Sequence, residues 1–187
     1  MCKKILIGAA VLVAGFGVVA AMQPDEFTVT REAVIPAPPE AIFAQVNNLH
    51  NWNAWSPWAR LDPDAKNSFD GPEAGVGASM SWDGNNNVGK GRMSITDSAP
   101  NEHVDFLLEF EKPMTGTSTA QLSFVPEADG TKVTWSMNGH KNFLSKAVGL
   151  VMNCEKMVGE QFEQGLDNLA DVTTGNTDGD TTESPEE

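Results

Sequence analysis

Ile35–Ala65 reads IPAPPEAIFAQVNNLHNWNAWSPWARLDPDA. Its first half is a helix start. The proline-rich Pro36–Pro39 stops any preceding strand, and Pro39 suits a first helical turn, where no backbone N–H is needed. Glu40 favours the positive end of that helix dipole. Ile42, Phe43 and Val46 then make an apolar stripe at helical spacing. The helical pattern continues or restarts through Asn48–Ala54, and Pro57 ends it. The same stretch holds Trp52, Trp55 and Trp58, three of the chain's five tryptophans. Trp52 and Trp55, three apart, share one face of a short second helix. Trp58 follows the Ser-Pro turn and is free to point elsewhere.

Outward from this stretch the period changes. Phe27–Ile35 before it, FTVTREAVI, is rich in β-branched residues and reads as a strand. After Lys66 the period becomes two. Met80 and Trp82 alternate with Ser79, Ser81 and Asp83, and Asp83–Asn87 (DGNNN) is a hairpin turn. Met93 and Ile95 alternate with Arg92, Ser94 and Thr96. Val104, Phe106, Leu108 and Phe110 oppose Asp105, Glu109 and Glu111. Ala120, Leu122 and Phe124 form the next apolar set, and Val133, Trp135 and Met137 the last. Turns fall at Ala99–Asn101 and Glu127–Gly130. The pattern is an antiparallel meander with one wet and one apolar face. Leu144, Val148, Val151, Val158, Phe162, Leu166 and Leu169 then recur at helical spacing. They predict a long closing helix whose apolar face covers the sheet. Glycines make a break near Gly149–Asn153 plausible.

The order is one strand, two short helices, a six-strand meander and a long helix. It is an α+β arrangement of about seven antiparallel strands, and it looks like the helix-grip fold. Residues Phe27–Asp171 resemble the SRPBCC superfamily, with its polyketide cyclase/dehydrase-like, START and Bet v 1-like members. The matching phrases are the Ile35–Ala65 stretch, GVGASMSWDGN at Gly75–Asn85, GKGRMSI at Gly89–Ile95 and MVGEQFEQGLDNL at Met157–Leu169. The resemblance implies a curved sheet gripping the closing helix, with an apolar cavity between them. It implies ligands such as lipids, sterols, polyketides or aromatic small molecules. Some relatives are enzymes, some carriers and some regulators of partner proteins, and the likeness extends to membrane-tethered bacterial members. One fold hosts unrelated functions, so catalysis does not follow.

The chain has 187 residues, 26 acidic and 12 basic, for a net charge of −14. That balance opposes nucleic acid and anionic lipid headgroups as partners, because both need Lys and Arg. At the N-terminus, Lys3 and Lys4 precede the uncharged run Ile5–Met22. Its 18 residues sit at the lower limit for a membrane span and exceed a usual signal-peptide core. Residues 1–22 therefore read as a transmembrane anchor, with a cleaved signal as the alternative. Gln23–Glu26 is a linker, 27–172 the helix-grip domain and 173–187 a disordered acidic tail. The two lysines favour an inside N-terminus, which puts the domain in the periplasm of a bacterium. Cys2 and Cys154 are poor candidates for a disulfide.

No nucleophile–base motif is visible, and no metal or cofactor is expected. His50, His103 and His140 have no ligand spacing. Asp83, Asp105, Glu109 and Glu163 form no predictable acid–base pair. Arg31 would hold an acidic headgroup if it faced inward, but a solvated strand arginine is the simpler reading. The stronger signal is the apolar inventory. Met80, Trp82, Met93, Phe106, Leu108, Phe110, Trp135 and Met137 are expected on the concave face. With Trp52, Trp55 and Trp58 at the lip and Phe162 on the closing helix, they are the candidate ligand-binding set. Methionine and aromatic groups suit a deformable apolar pocket. The same residues would also be needed merely to fill a core, and Trp55 is the ring expected to seal it. Three functions follow. The first is binding of a hydrophobic small molecule or lipid. The second is a cyclase- or dehydratase-like reaction on such a ligand, which needs a polar pair in the cavity. The third is a co-chaperone-like interaction module with a filled interior.

Overall fold

A computed structural model describes residues 14–150 and 153–175 of the chain. The strands are β1 (Glu26–Ile35), β2 (Lys66–Asp70), β3 (Ser79–Asp83), β4 (Lys90–Ala99), β5 (His103–Lys112), β6 (Gly116–Glu127) and β7 (Gly130–His140). They form one curved antiparallel sheet in the order β1-β7-β6-β5-β4-β3-β2. The meander β2–β7 is thus continuous, and β1 returns to pair with the last strand. This is the expected helix-grip arrangement.

Register decides which side chains meet. Met80 pairs with Met93, and Met93 with Leu108. Ile95 pairs with Phe106, Phe106 with Ala120, and Ala120 with Met137. Residues directly opposite share a face, so these rows run across the apolar side of the sheet. The long helix α5 (Cys154–Thr174) lies on that side and buries Phe162, Leu166 and Leu169. Each large apolar side chain so buried contributes about 1.5–3 kcal/mol relative to exposure.

The helical region before β2 is more divided than expected. It comprises α1 (Pro39–Val46), a 3-10 turn at Leu49–Asn51, α2 (Trp52–Trp55) and α3 (Pro57–Leu61). Pro57 both ends α2 and begins α3. At the first position of a helix its missing N–H leaves no bond unmade. The break near Gly149–Asn153 separates α4 (Phe143–Gly149) from α5. An asparagine caps the start of each of the two helices. The Asn142 side chain accepts from Ser145 N at 2.8 Å, and the Asn153 side chain from Lys156 N at 3.0 Å. Each satisfies a backbone donor that a helix start leaves free.

At the ends of the chain, residues 14–21 are helical. The rest of the expected membrane span, together with Cys2, falls within residues 1–13, outside the described residues. Among the described residues, no helix is long and apolar enough to cross a membrane. α5 runs through Thr174, two residues into the stretch expected as tail. The tail beyond 175 and Val151 also lie outside the described residues.

Candidate ligand-binding cavity

A cavity of about 450 Å³ lies between the apolar face of the sheet, the short helices and α5. A volume of this size lies within the range of small-molecule sites. Its floor is built by alternation. Met80 from β3, Met93 from β4, Phe106, Leu108 and Phe110 from β5, and Trp135 and Met137 from β7 all line it. Val158 and Phe162 of α5 form the opposite wall, and Trp52 and Trp58 close one end.

The tryptophans are positioned by one another. Trp52 and Trp58 lie nearly parallel, with centroids 6.4 Å apart and planes at 5°. Trp135 stacks on Phe162 at 4.1 Å and meets Trp52 edge-on at 6.0 Å and Trp58 at 6.0 Å. Such offset and edge-on arrangements are those favoured by the ring quadrupole. Trp58, free to point elsewhere on the sequence pattern, therefore joins the same cluster, because α3 packs against α5 and brings Trp58 edge-on to Phe162. Trp82 is fixed differently. Its Nε1 donates to Val88 O at 3.3 Å, and its ring meets Phe110 at 6.0 Å. It also lies over Gly91, where an added Cβ would stand 2.6 Å from ring carbon Cζ2.

Eleven of the twelve candidate residues thus line the cavity, and Trp55 does not. Trp55 is fully buried, behind the wall and edge-on to both Trp52 and Trp135. Its carbonyl accepts from Asn168 Nδ2 at 2.9 Å, which ties the end of α2 to α5. It is a core ring, the role expected for it.

The polar part of the wall was not visible in the sequence pattern. It consists of Asn53, Ser56, Asp62 and Asn67, which run from α2 past α3 into β2. Asn67 Nδ2 donates to Asn53 Oδ1 at 3.2 Å. Asp62 accepts from the backbone N–H of Asn85 at 2.6 Å and of Asp64 at 3.3 Å, holding the β3–β4 hairpin against α3. Among the described residues, Asp62 is the one ionisable member of the lining. Asn53 and Pro63 are exposed, so the cavity opens on this side. No carboxylate–histidine or carboxylate–carboxylate pair faces the interior among the described residues.

The remaining sequence candidates fall elsewhere. Arg31 is directly opposite Trp135 in the β1–β7 register and so faces α5, not the wet side. It crosses Gly159 and is paired with Glu163, with Nη1 donating to Thr30 O at 2.8 Å. Arg31 is thus on the inner face of the sheet and ion-paired, yet a third of its side chain stays exposed, so the solvated reading holds only in part. Asp83 and Glu109 are exposed, and His50 stacks on Phe69 at 4.0 Å. The β4–β5 pairing brings Asp97, His103 and Asp105 within 4.8 Å of one another, a cluster that linear spacing did not show. Its members are engaged: Asp97 bonds Ser98 N and His103, and Asp105 accepts from Gln121 Nε2 at 2.7 Å. The Ser98 bond first, then His103, hold the Asp97 carboxyl below its ordinary value.

A curved antiparallel sheet closed over a cavity by a C-terminal helix defines the helix-grip class of proteins. Residues 26–174 match the family described as polyketide cyclase/dehydrase and lipid transport, and the chain belongs to that family. Its members generally bind hydrophobic small molecules. Comparison with curated proteins gives no match. Among solved structures, a Rhizobium loti protein is similar at 21% identity, over 76% of this chain and 96% of that one, with a TM-score of 0.58. A Mesorhizobium loti protein matches at 17% identity, over 81% and 99%, with a TM-score of 0.59. The Aha1 dimer from Colwellia psychrerythraea matches at 17% identity, over 81% and 98%, with a TM-score of 0.57. At these identities the likeness is one of fold.

Proposed function

We propose that this domain binds a hydrophobic small molecule or lipid in the cavity, and that it does so on the periplasmic side of the inner membrane, held there by its N-terminal segment. The observation that carries the binding reading is the cavity itself. It is about 450 Å³ in volume, and its floor is built of methionine and aromatic side chains. A domain that served only as an interaction module would have no need of such a void, since unfilled volume weakens a core. The enzyme reading has less support, because the wall offers one carboxylate, already bonded to the β3–β4 hairpin, and no partner for it. The tether rests on Lys3, Lys4 and the apolar run Ile5–Met22.

Native mass spectrometry of the full chain, followed by organic extraction, tests the binding reading. The expected result is a co-purified apolar molecule, or uptake of an added apolar probe. An empty protein that takes up no probe would overturn it. Fractionation with protease accessibility in spheroplasts tests the address. The domain should be membrane-bound and digestible from outside.

A further inference from the structure

We infer that the open end of the cavity faces a lipid bilayer, with Phe143, Leu150 and Met157 seated in the bilayer surface beside it. This rests on the reading of the N-terminal segment as a membrane tether. The strand register fixes where the opening lies. One row runs across the sheet from Asn67 through Trp82, Gly91 and Phe110 to Gly116. Burial falls along the strands toward this row. On the inner face of β5, Val104 and Phe106 are fully buried, whereas Leu108 and Phe110 are only partly so. On β7 exposure rises in the same direction, from Val133 through Trp135 to Met137. The polar part of the wall stands at this end too, since Asn67 bonds Asn53 and the β3–β4 hairpin bonds Asp62.

The N-terminal segment leaves the domain at the same end. Glu26, the first residue of β1, pairs with His140, the last of β7. Residues 22–25 are all that separate β1 from the helical residues 14–21, and they span at most about 14 Å. Asp25 in this joint is fixed to the chain that enters α4. Its carbonyl accepts from Lys141 N at 2.6 Å, and its carboxylate is paired with Lys146. Phe16, Val18, Val19 and Met22 on and just after the helical stretch are exposed. Lipid would cover these side chains favourably where water does not. A bilayer that holds this segment therefore comes within reach of α4.

The surface at this end suits such a neighbour. Phe143, Leu150 and Met157 are 59%, 36% and 52% exposed. Phe143 opens α4, Leu150 follows it, and Met157 lies in the first turn of α5 next to Val158 of the cavity wall. The opposite end of the sheet cannot take this place. Its turns expose Glu102, Glu127 and Asp129, whose charges would lose hydration against lipid. At the cavity end, the long stems of Lys141 and Lys156 let their charges stay among headgroups while the apolar side chains go deeper. An apolar occupant then meets the opening from the lipid phase, without crossing water.

The test uses the full chain with Cys2→Ser and Cys154→Ser, reconstituted in phosphatidylcholine vesicles and recovered by flotation. Phe143→Cys, Met157→Cys and Asp129→Cys, made one at a time, each carry an environment-sensitive fluorophore. Spin-labelled phosphatidylcholine is the quencher. The labels on Phe143→Cys and Met157→Cys should lose most of their emission, and the label on Asp129→Cys should keep it. Adding Phe143→Glu and Leu150→Glu to the Met157→Cys chain should restore its emission while the protein still floats. Equal quenching at all three positions, strongest quenching on Asp129→Cys, no quenching in a floating protein, or quenching that survives the two glutamates would each overturn the docking and leave the tether standing. Protein that does not float would overturn the tether, and this inference with it.

Discussion

Gly165 of α5 faces Trp135 of β7 so closely that an added Cβ would stand 2.7 Å from ring carbon Cζ3 and 3.2 Å from Pro57 Cδ. At Gly165 the backbone of the closing helix therefore rests directly on the Trp135 ring. Gly165→Ala gains about 1 kcal/mol of helix propensity. It must also displace a ring that is packed on several sides, which costs about 1–3 kcal/mol by overpacking. The expected outcome in urea unfolding is net destabilisation. Gly149→Ala is the matched control. Among the described residues nothing lies within 4 Å of a Cβ there, so this variant should gain up to about 1 kcal/mol.

Trp55 and Trp58 stand three residues apart and should respond differently to truncation. Trp55 is fully buried and outside the cavity wall, whereas Trp58 is half-buried and within it. Trp55→Ala removes a core ring and should cost about 3–5 kcal/mol. Trp58→Ala opens the wall and should cost less while changing the uptake of an apolar probe. Chemical unfolding paired with a probe titration separates the two. Equal losses of stability with unchanged uptake would place Trp58 in the core as well.

The period-two pattern from Lys66 to Met137 was sufficient to read the meander, because each strand has one dry face. The apolar floor of the cavity was legible for the same reason: alternation alone puts Met93, Phe106, Trp135 and Met137 on one side. The polar wall was not legible. Asn53, Ser56 and Asp62 lie in or between the short helices, where no period tells inside from outside, and Asn67 is a polar residue of the short edge strand β2. Arg31 was misplaced because it is the one charged residue on the β1 face otherwise formed by Phe27, Val29, Ala33 and Ile35, and a lone charge on an apolar face is easily read as solvated. Its direction is fixed by pairing with Trp135 and by the gap that Gly159 leaves, two facts distant in sequence.

Ala120 offers a way to fill the cavity without touching its walls elsewhere. It lies in the floor between Phe106 and Met137, 7% exposed, and is the small member of that row. Ala120→Leu puts three more carbons into the void, where they meet space instead of packed atoms. Stability should stay within about 1.5 kcal/mol of wild type, since a void tolerates added volume better than a filled core. Uptake of an apolar probe should fall at least about tenfold, the effect of losing some 1.4 kcal/mol of binding. Full retention of uptake would show that the probe binds elsewhere.

The Lys146–Asp25 pair links α4 to the joint that precedes β1, where Lys141 N also donates to Asp25 O at 2.6 Å. Lys146 is buried, while Asp25 is exposed. Its hydrogen bond and charge attraction to Lys146 hold the Asp25 carboxyl below its ordinary value of 3.8, with a smaller contribution from His140. A depressed carboxylate pKa stabilises the fold above the unfolded value, and that stabilisation is lost as pH falls through the folded one. Asp25→Asn lacks this carboxylate at every pH. Wild type should therefore be slightly more stable than Asp25→Asn between pH 5 and pH 7, values chosen to lie above 3.8. The gap should close as the pH drops below that point, and added salt should shrink it because Asp25 is exposed. Urea unfolding of both proteins across this range measures the gap. A difference that persisted undiminished into strong acid would mean that Asp25 acts by packing and not through its charge.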